Sequence, residues 1–134
     1  MGTTRDRILM CPPDYFTVDY VINPWMAGQE SSLDIALAKQ QWGELRDTIA
    51  EYADVVEMEA VEGLPDMVFT ANAGAVYGDK AIASHFMPQE RRPEEVHFKT
   101  WFRENGFELL ALDEKIRFEG AGDCLRDRGG PWLW

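Results

Sequence analysis

Phe69-Thr70-Ala71-Asn72-Ala73-Gly74 and Phe118-Glu119-Gly120-Ala121-Gly122-Asp123 are two versions of one pattern, an aromatic residue followed by polar side chains set among Gly and Ala, and they stand 49 positions apart. Each copy closes the same order of elements: helix, strand, polar turn, then a strand of small residues leading to a hairpin signal. This reads as an internal repeat of an α/β unit. One such unit cannot bury both of its faces alone, so the pattern implies further copies or a partner chain.

Working outward from these segments, Arg7-Ile8-Leu9-Met10-Cys11 is an apolar run stopped by Pro12-Pro13, the signature of a buried strand. The loop after it carries Val21-Ile22-Asn23-Pro24-Trp25-Met26, apolar enough to suggest that it folds over something. Ser31 and Asp34 resemble a capping box. Ile35, Ala38, Trp42, Leu45, Ile49 and Tyr52 then recur at helical spacing and predict a buried face. Residues 54–61 read as a strand, and residues 63–66 turn the chain into another at residues 67–70. Gly78-Asp79 predicts a hairpin between residues 75–77 and 81–84. Pro93, the face Phe98, Trp101 and Phe102, and the stop signal Asn105-Gly106 predict a second helix, followed by strands at residues 107–112 and 118–125.

The chain has 134 residues, 46% of them hydrophobic and 12% aromatic, a composition that demands a packed fold. Its net charge of −11 repels phosphate backbones and anionic membranes and attracts small cations, which argues against a nucleic-acid or membrane partner. No apolar run reaches membrane-span length and residues 1–10 do not resemble a signal peptide, so a cytoplasmic protein is expected. Cys11 and Cys124 lack partners at metal-ligand spacing and read as buried free thiols. The chain stops just after its second unit, in Trp132-Leu133-Trp134, an apolar edge that is expected to self-associate or to continue into further sequence.

Asn72, Glu119 and Asp123 are polar groups among small residues, which let a ligand approach the backbone. A planar guanidinium suits such a set, because its fixed N–H fork matches carboxylates that accept two parallel bonds. If residues 118–125 are a strand, Glu119 and Asp123 lie on one face and need a cation between them. The residues alone leave a second reading open, in which these are turn glycines with solvent-facing acids.

Four segments, Met10-Cys11-Pro12-Pro13-Asp14, Asp19-Tyr20-Val21-Ile22-Asn23-Pro24-Trp25-Met26, residues 64–74 and Phe118-Glu119-Gly120-Ala121-Gly122-Asp123, closely resemble the guanidine-modifying hydrolases and amidinotransferases, the penteins. The nearest branch resembles the arginine dihydrolases. The resemblance implies a five-bladed α/β propeller of pseudo-repeats, with residues 1–134 as the N-terminal part of one domain and about two of the five units present. It implies hydrolysis of arginine at the guanidinium carbon by a cysteine thiolate and a histidine, with no metal or organic cofactor.

Carried over by resemblance, Glu119 accepts from the guanidinium and Asp123 holds the substrate end or its neighbours. Asn23 and Arg91 bind the amino-acid end, Arg91 at the α-carboxylate. Phe69 forms a pocket wall or packs in the core. Asn72 stands where deiminases of the superfamily present an aspartate, and an amide can donate to a ureido oxygen, so the expected products are ornithine, ammonia and carbon dioxide. The alternatives are a citrulline-forming deiminase, a dimethylarginine hydrolase, an amidinotransferase, or a non-catalytic guanidino-binding fragment. The family's catalytic Cys and His have no counterpart here, which places them beyond Trp134. Cys124, beside Asp123, His85 and His97 are ordinary residues on this reading.

Overall fold

The computed structural model describes residues 5–29 and 33–125. The chain divides into two compact units, Met1–Val68 and Phe69–Trp134.

The first unit is a β-α-β arrangement. Strand β1 (Arg7–Met10) pairs in parallel with β2 (Asp54–Glu57), Ile8 opposite Val55 and Leu9 opposite Val56, and helix α1 (Ile35–Ala50) makes the crossover that parallel neighbours require. Asp34 caps α1, its side chain accepting from the Leu37 backbone N–H at 3.0 Å; Ser31, the other half of the expected capping box, lies outside the described residues. The anticipated buried face of α1 is not formed. None of its residues is buried; Ala38, Trp42 and Ile49 are half covered and Leu45 is 55% exposed. Tyr52, just past the helix, is exposed as well. The core of this unit is instead Met10, Cys11, Ala53, Met58 and Met67.

In the loop from Val21 to Met26, Trp25 is 84% exposed while Ile22, Asn23 and Met26 are half covered. One further expectation gives way. Residues 67–70 are not a strand: the chain makes 3-10 turns at Pro65–Val68 and Thr70–Asn72, which leaves β2 short. Pro65 supplies no backbone donor for a sheet ladder and suits the start of a helical turn, which outweighs the apolar run behind it.

The second unit holds a three-stranded sheet. Strands β3 (Gly74–Tyr77) and β4 (Lys80–Ala83) form the hairpin foreseen at Gly78-Asp79, with Gly78 at φ +61°, and β5 (Glu108–Leu109) pairs in parallel with β4. Helix α2 (Glu94–Glu104) starts after Pro93 and stops at Asn105-Gly106, with Gly106 at φ +84°. It drives Phe98 and Phe102 into a core with Phe86 and alanines of the sheet. Phe102 meets Phe107 edge-on, ring centroids 5.6 Å apart, a favoured aromatic geometry. His97, expected on the exposed side of α2, is half buried.

The segment at residues 118–125 is likewise no strand. Phe118 makes a single antiparallel bridge to His85, and a 3-10 turn follows at Gly120–Gly122. The fold is mixed α/β. Among the described residues, which leave out Trp132, Leu133 and Trp134, the two sheets are open. No helix among those residues is long and apolar enough to cross a membrane.

Candidate functional site

The two repeated segments meet within the second unit, where the turns at Thr70–Asn72 and Gly120–Gly122 pack against each other. Glycine makes that approach possible at one position. A Cβ on Gly120 would stand 2.6 Å from the Ala71 carbonyl oxygen and 3.0 Å from Asn72 Cα, and Gly120 sits at φ +60°. The His85–Phe118 bridge, with N···O distances of 2.8 and 3.0 Å, clamps one segment to the end of β4.

Asn72 lies at the centre of this junction. Its Nδ2 donates to the Glu119 carbonyl oxygen at 3.0 Å, and its Oδ1 accepts from Arg91 Nη1 at 3.1 Å. Guanidinium only donates and a carbonyl only accepts, so the two partners fix which end of the amide is which. The backbone of Asn72 is held too, by the Phe69 carbonyl and by the Ser84 hydroxyl.

Behind Asn72 stands a buried ion pair. Arg91 Nε donates to both Glu94 oxygens, at 3.1 and 3.2 Å, and Nη2 donates to Glu94 Oε2 at 2.9 Å. Arg91 is 5% exposed, Glu94 is fully enclosed, and the guanidinium carbon lies 4.3 Å from the centre of the Phe86 ring. Residues 91–94 shape this locally: Arg91 ends a 3-10 turn, Pro93 follows, and Glu94 begins α2, where the helix dipole favours a carboxylate. In this arrangement the Arg91 fork points at Glu94 and Asn72.

Glu119 is half buried, and its Oε1 accepts from the Met87 backbone N–H at 3.0 Å. A carboxylate has about four acceptor positions, so acceptor capacity remains for a cation. Asp123 does not share a strand face with Glu119, because there is no strand; it folds back and its Oδ2 accepts from the backbone N–H of Glu119 at 2.7 Å. Phe69 is 47% exposed, so it is not part of the buried core. Asn23 belongs to the first unit and closes an Asx turn, Oδ1 accepting from the N–H groups of Trp25 at 3.1 Å and Met26 at 3.2 Å.

Cys11 is fully buried and Cys124 half buried, and neither is in a disulfide. His85 contacts Glu95 through Nδ1 at 3.2 Å and Arg117 through Nε2. These residues line a cavity of about 620 Å³ with Lys99, Arg103 and Leu110, and it includes neither Asn72 nor Glu119. Burial pushes the Glu95 carboxyl up, but hydrogen bonds from His85, the Phe86 backbone N–H and Lys99 outweigh it and hold it below the usual glutamate value. Sequence reasoning missed Glu94 and Phe86. The signal for Glu94 was the opposite-charge pair Arg91 and Glu94 at i, i+3 across a helix start.

No family model matches the chain. It is 53% identical over 128 residues to the bifunctional arginine dihydrolase/ornithine cyclodeaminase ArgZ of Synechocystis sp., covering 96% of this chain and 18% of that protein. It is 36% identical over 120 residues to an N(G),N(G)-dimethylarginine dimethylaminohydrolase of Mycobacterium tuberculosis, covering 89% of this chain and 39% of that enzyme. The crystal structure of the N-terminal domain of ArgZ bound to product matches with a TM-score of 0.92, over 96% of this chain and 47% of that one. The chain therefore spans about a fifth of ArgZ and about half of its solved N-terminal domain.

Proposed function

The chain belongs to the guanidine-modifying hydrolase and amidinotransferase superfamily, the penteins, and from that premise we propose that it is the N-terminal part of an arginine dihydrolase. The reaction adds two waters to arginine and yields ornithine, two ammonia and carbon dioxide, with the thiolate and the imidazole supplied by sequence beyond Trp134. Residues 1–134 then form about two units of the propeller of pseudo-repeats. The similar segments, 49 positions apart in the sequence, each contain a 3-10 turn and the two turns pack on each other, which supports that duplication.

In this reading Glu119 accepts from the guanidinium N–H groups and Phe69, 47% exposed, walls the pocket. Asn23 contacts the amino-acid end, as the resemblance implies. For Arg91, the buried pair with Glu94 favours a supporting role over the carboxylate contact that the resemblance assigns it. Asp123 braces Glu119 through its backbone. Arginine or a close guanidino compound is the ligand, and the protein works in the cytoplasm without a metal or organic cofactor.

The observation that carries the dihydrolase reading is the oriented amide of Asn72. One N–H is used by the Glu119 carbonyl and one lone pair by Arg91, which leaves one donor and one acceptor position for a ligand. A neutral ureido group needs both, and an aspartate could only accept. In the full-length protein, Asn72→Asp is expected to keep the first ammonia release while citrulline becomes the main product by chromatography. Ornithine without citrulline from that variant sinks the role given to Asn72. The carboxylate would also face the Glu119 carbonyl, a loss of about 1–3 kcal/mol of stability to be checked by urea denaturation.

A further inference from the structure

We propose that Glu94, which is fully enclosed, is a specificity-determining positioning residue: it locks Arg91 so that Arg91 locks the Asn72 amide. The proposal rests on the dihydrolase reading for its effect on products, but the lock itself does not.

A fully enclosed carboxylate is costly unless it is paired and hydrogen-bonded, and Glu94 is both, through Arg91 Nε and Nη2. That side-on grip through Nε and Nη2 leaves Nη1 turned toward Asn72 Oδ1, and Phe86 covers one face of the guanidinium. Rotation of the Arg91 fork would break three hydrogen bonds to Glu94. Rotation of the Asn72 amide would set an NH2 against a guanidinium donor and an oxygen against the Glu119 carbonyl, two repulsions in a partly buried place. The amide is thus held in one of its two orientations by a chain that begins at Glu94. Neutralising Glu94 removes the anchor. An apolar pair would fill the same space, and buried ionic groups of this kind serve to select one arrangement among several.

The lock is tested first on the 134-residue chain, labelled with ¹⁵N, by the side-chain amide signals of Asn72, identified by their loss in Asn72→Ser. Glu94→Gln is expected to shift both amide protons and to speed their exchange with water by about tenfold, the scale of one lost charge-assisted hydrogen bond. Unchanged signals in a folded Glu94→Gln chain overturn the proposal. Should that variant fail to fold, Arg91→Met with Glu94→Leu removes the pair together and must give the same change.

The product effect is then read in the full-length protein as the ratio of citrulline to ornithine. Glu94→Gln should raise it by about tenfold, and a ratio equal to wild type, with the amide signals moved, overturns the specificity role. If the wild-type protein forms no ornithine, the dihydrolase reading fails and the specificity role falls with it, while the amide signals still decide the lock.

Discussion

Helix α1 runs for 16 residues and buries none of them, whereas the 11 residues of α2 carry Glu94, Phe98 and Phe102 into the interior. Both show apolar residues at helical spacing. The first has an Asp34 cap, contacts along its own surface, such as Gln40 with Glu44 and Arg46 over the Trp42 ring, and only partial cover over Ala38, Trp42 and Ile49. The second is stabilised by what it packs against: Phe86, Phe107 and the sheet. Periodicity therefore reports that a helix forms, and the surroundings decide how much of it the fold depends on.

The comparison breaks most sharply at the aromatic core. Phe98→Ala should cost about 3–5 kcal/mol in urea denaturation, while Leu45→Ala on α1 should change stability by no more than about 0.5 kcal/mol. A large loss for Leu45→Ala would mean that α1 is packed after all. The next contrast is between glycines of the two units. Gly63 and Gly120 both have positive φ, but a Cβ meets nothing within 4 Å at Gly63 and a carbonyl at 2.6 Å at Gly120. Gly63→Ala should cost about 1–2 kcal/mol from the backbone alone, and Gly120→Ala clearly more, as the shift in denaturation midpoint. Equal costs would show that the two turns are not tightly packed.

A smaller effect is expected where α1 is anchored. Asp34→Ala removes the acceptor for the Leu37 N–H and should cost about 1 kcal/mol, seen as a lower melting temperature. The mildest concerns Glu95 of α2. Its folded pKa is depressed, so its contribution is fully present above the unfolded value, about 4.3, and is lost as pH falls through the lower folded value. Denaturation across pH 3–6 should show the acid limb of the stability curve flattened in Glu95→Gln. An unchanged limb would remove His85 and Lys99 as its effective partners.

Much of the second unit was legible because its signals are local. Gly78-Asp79 marks a hairpin and Asn105-Gly106 a helix stop, since both need a left-handed glycine wherever the rest of the chain lies. The segments at residues 67–70 and 118–125 were misread as strands for the opposite reason. Short runs of apolar and small residues carry no periodicity that separates strand from 3-10 turn, and the choice falls to the partner that each segment meets. Asn72, Glu119, Arg91 and Asp123 were all named from the sequence, and the structure gathers these four around one junction. Glu94 was not named, because a carboxylate at a helix start reads as a surface cap until its burial is known.

By itself, the sequence determined the α/β class and the two similar glycine-flanked segments, because these depend on residue types at short and regular spacings, and its motifs carried the resemblance to the superfamily. Only the tertiary structure decided that the two copies touch, that the Asn72 amide points one way, and that an enclosed Glu94–Arg91 pair holds it there. Those facts depend on the environment of each atom, on which donors face which acceptors and how little water reaches them. Residues 47 positions apart, such as Asn72 and Glu119, acquire that environment only when the chain closes on itself.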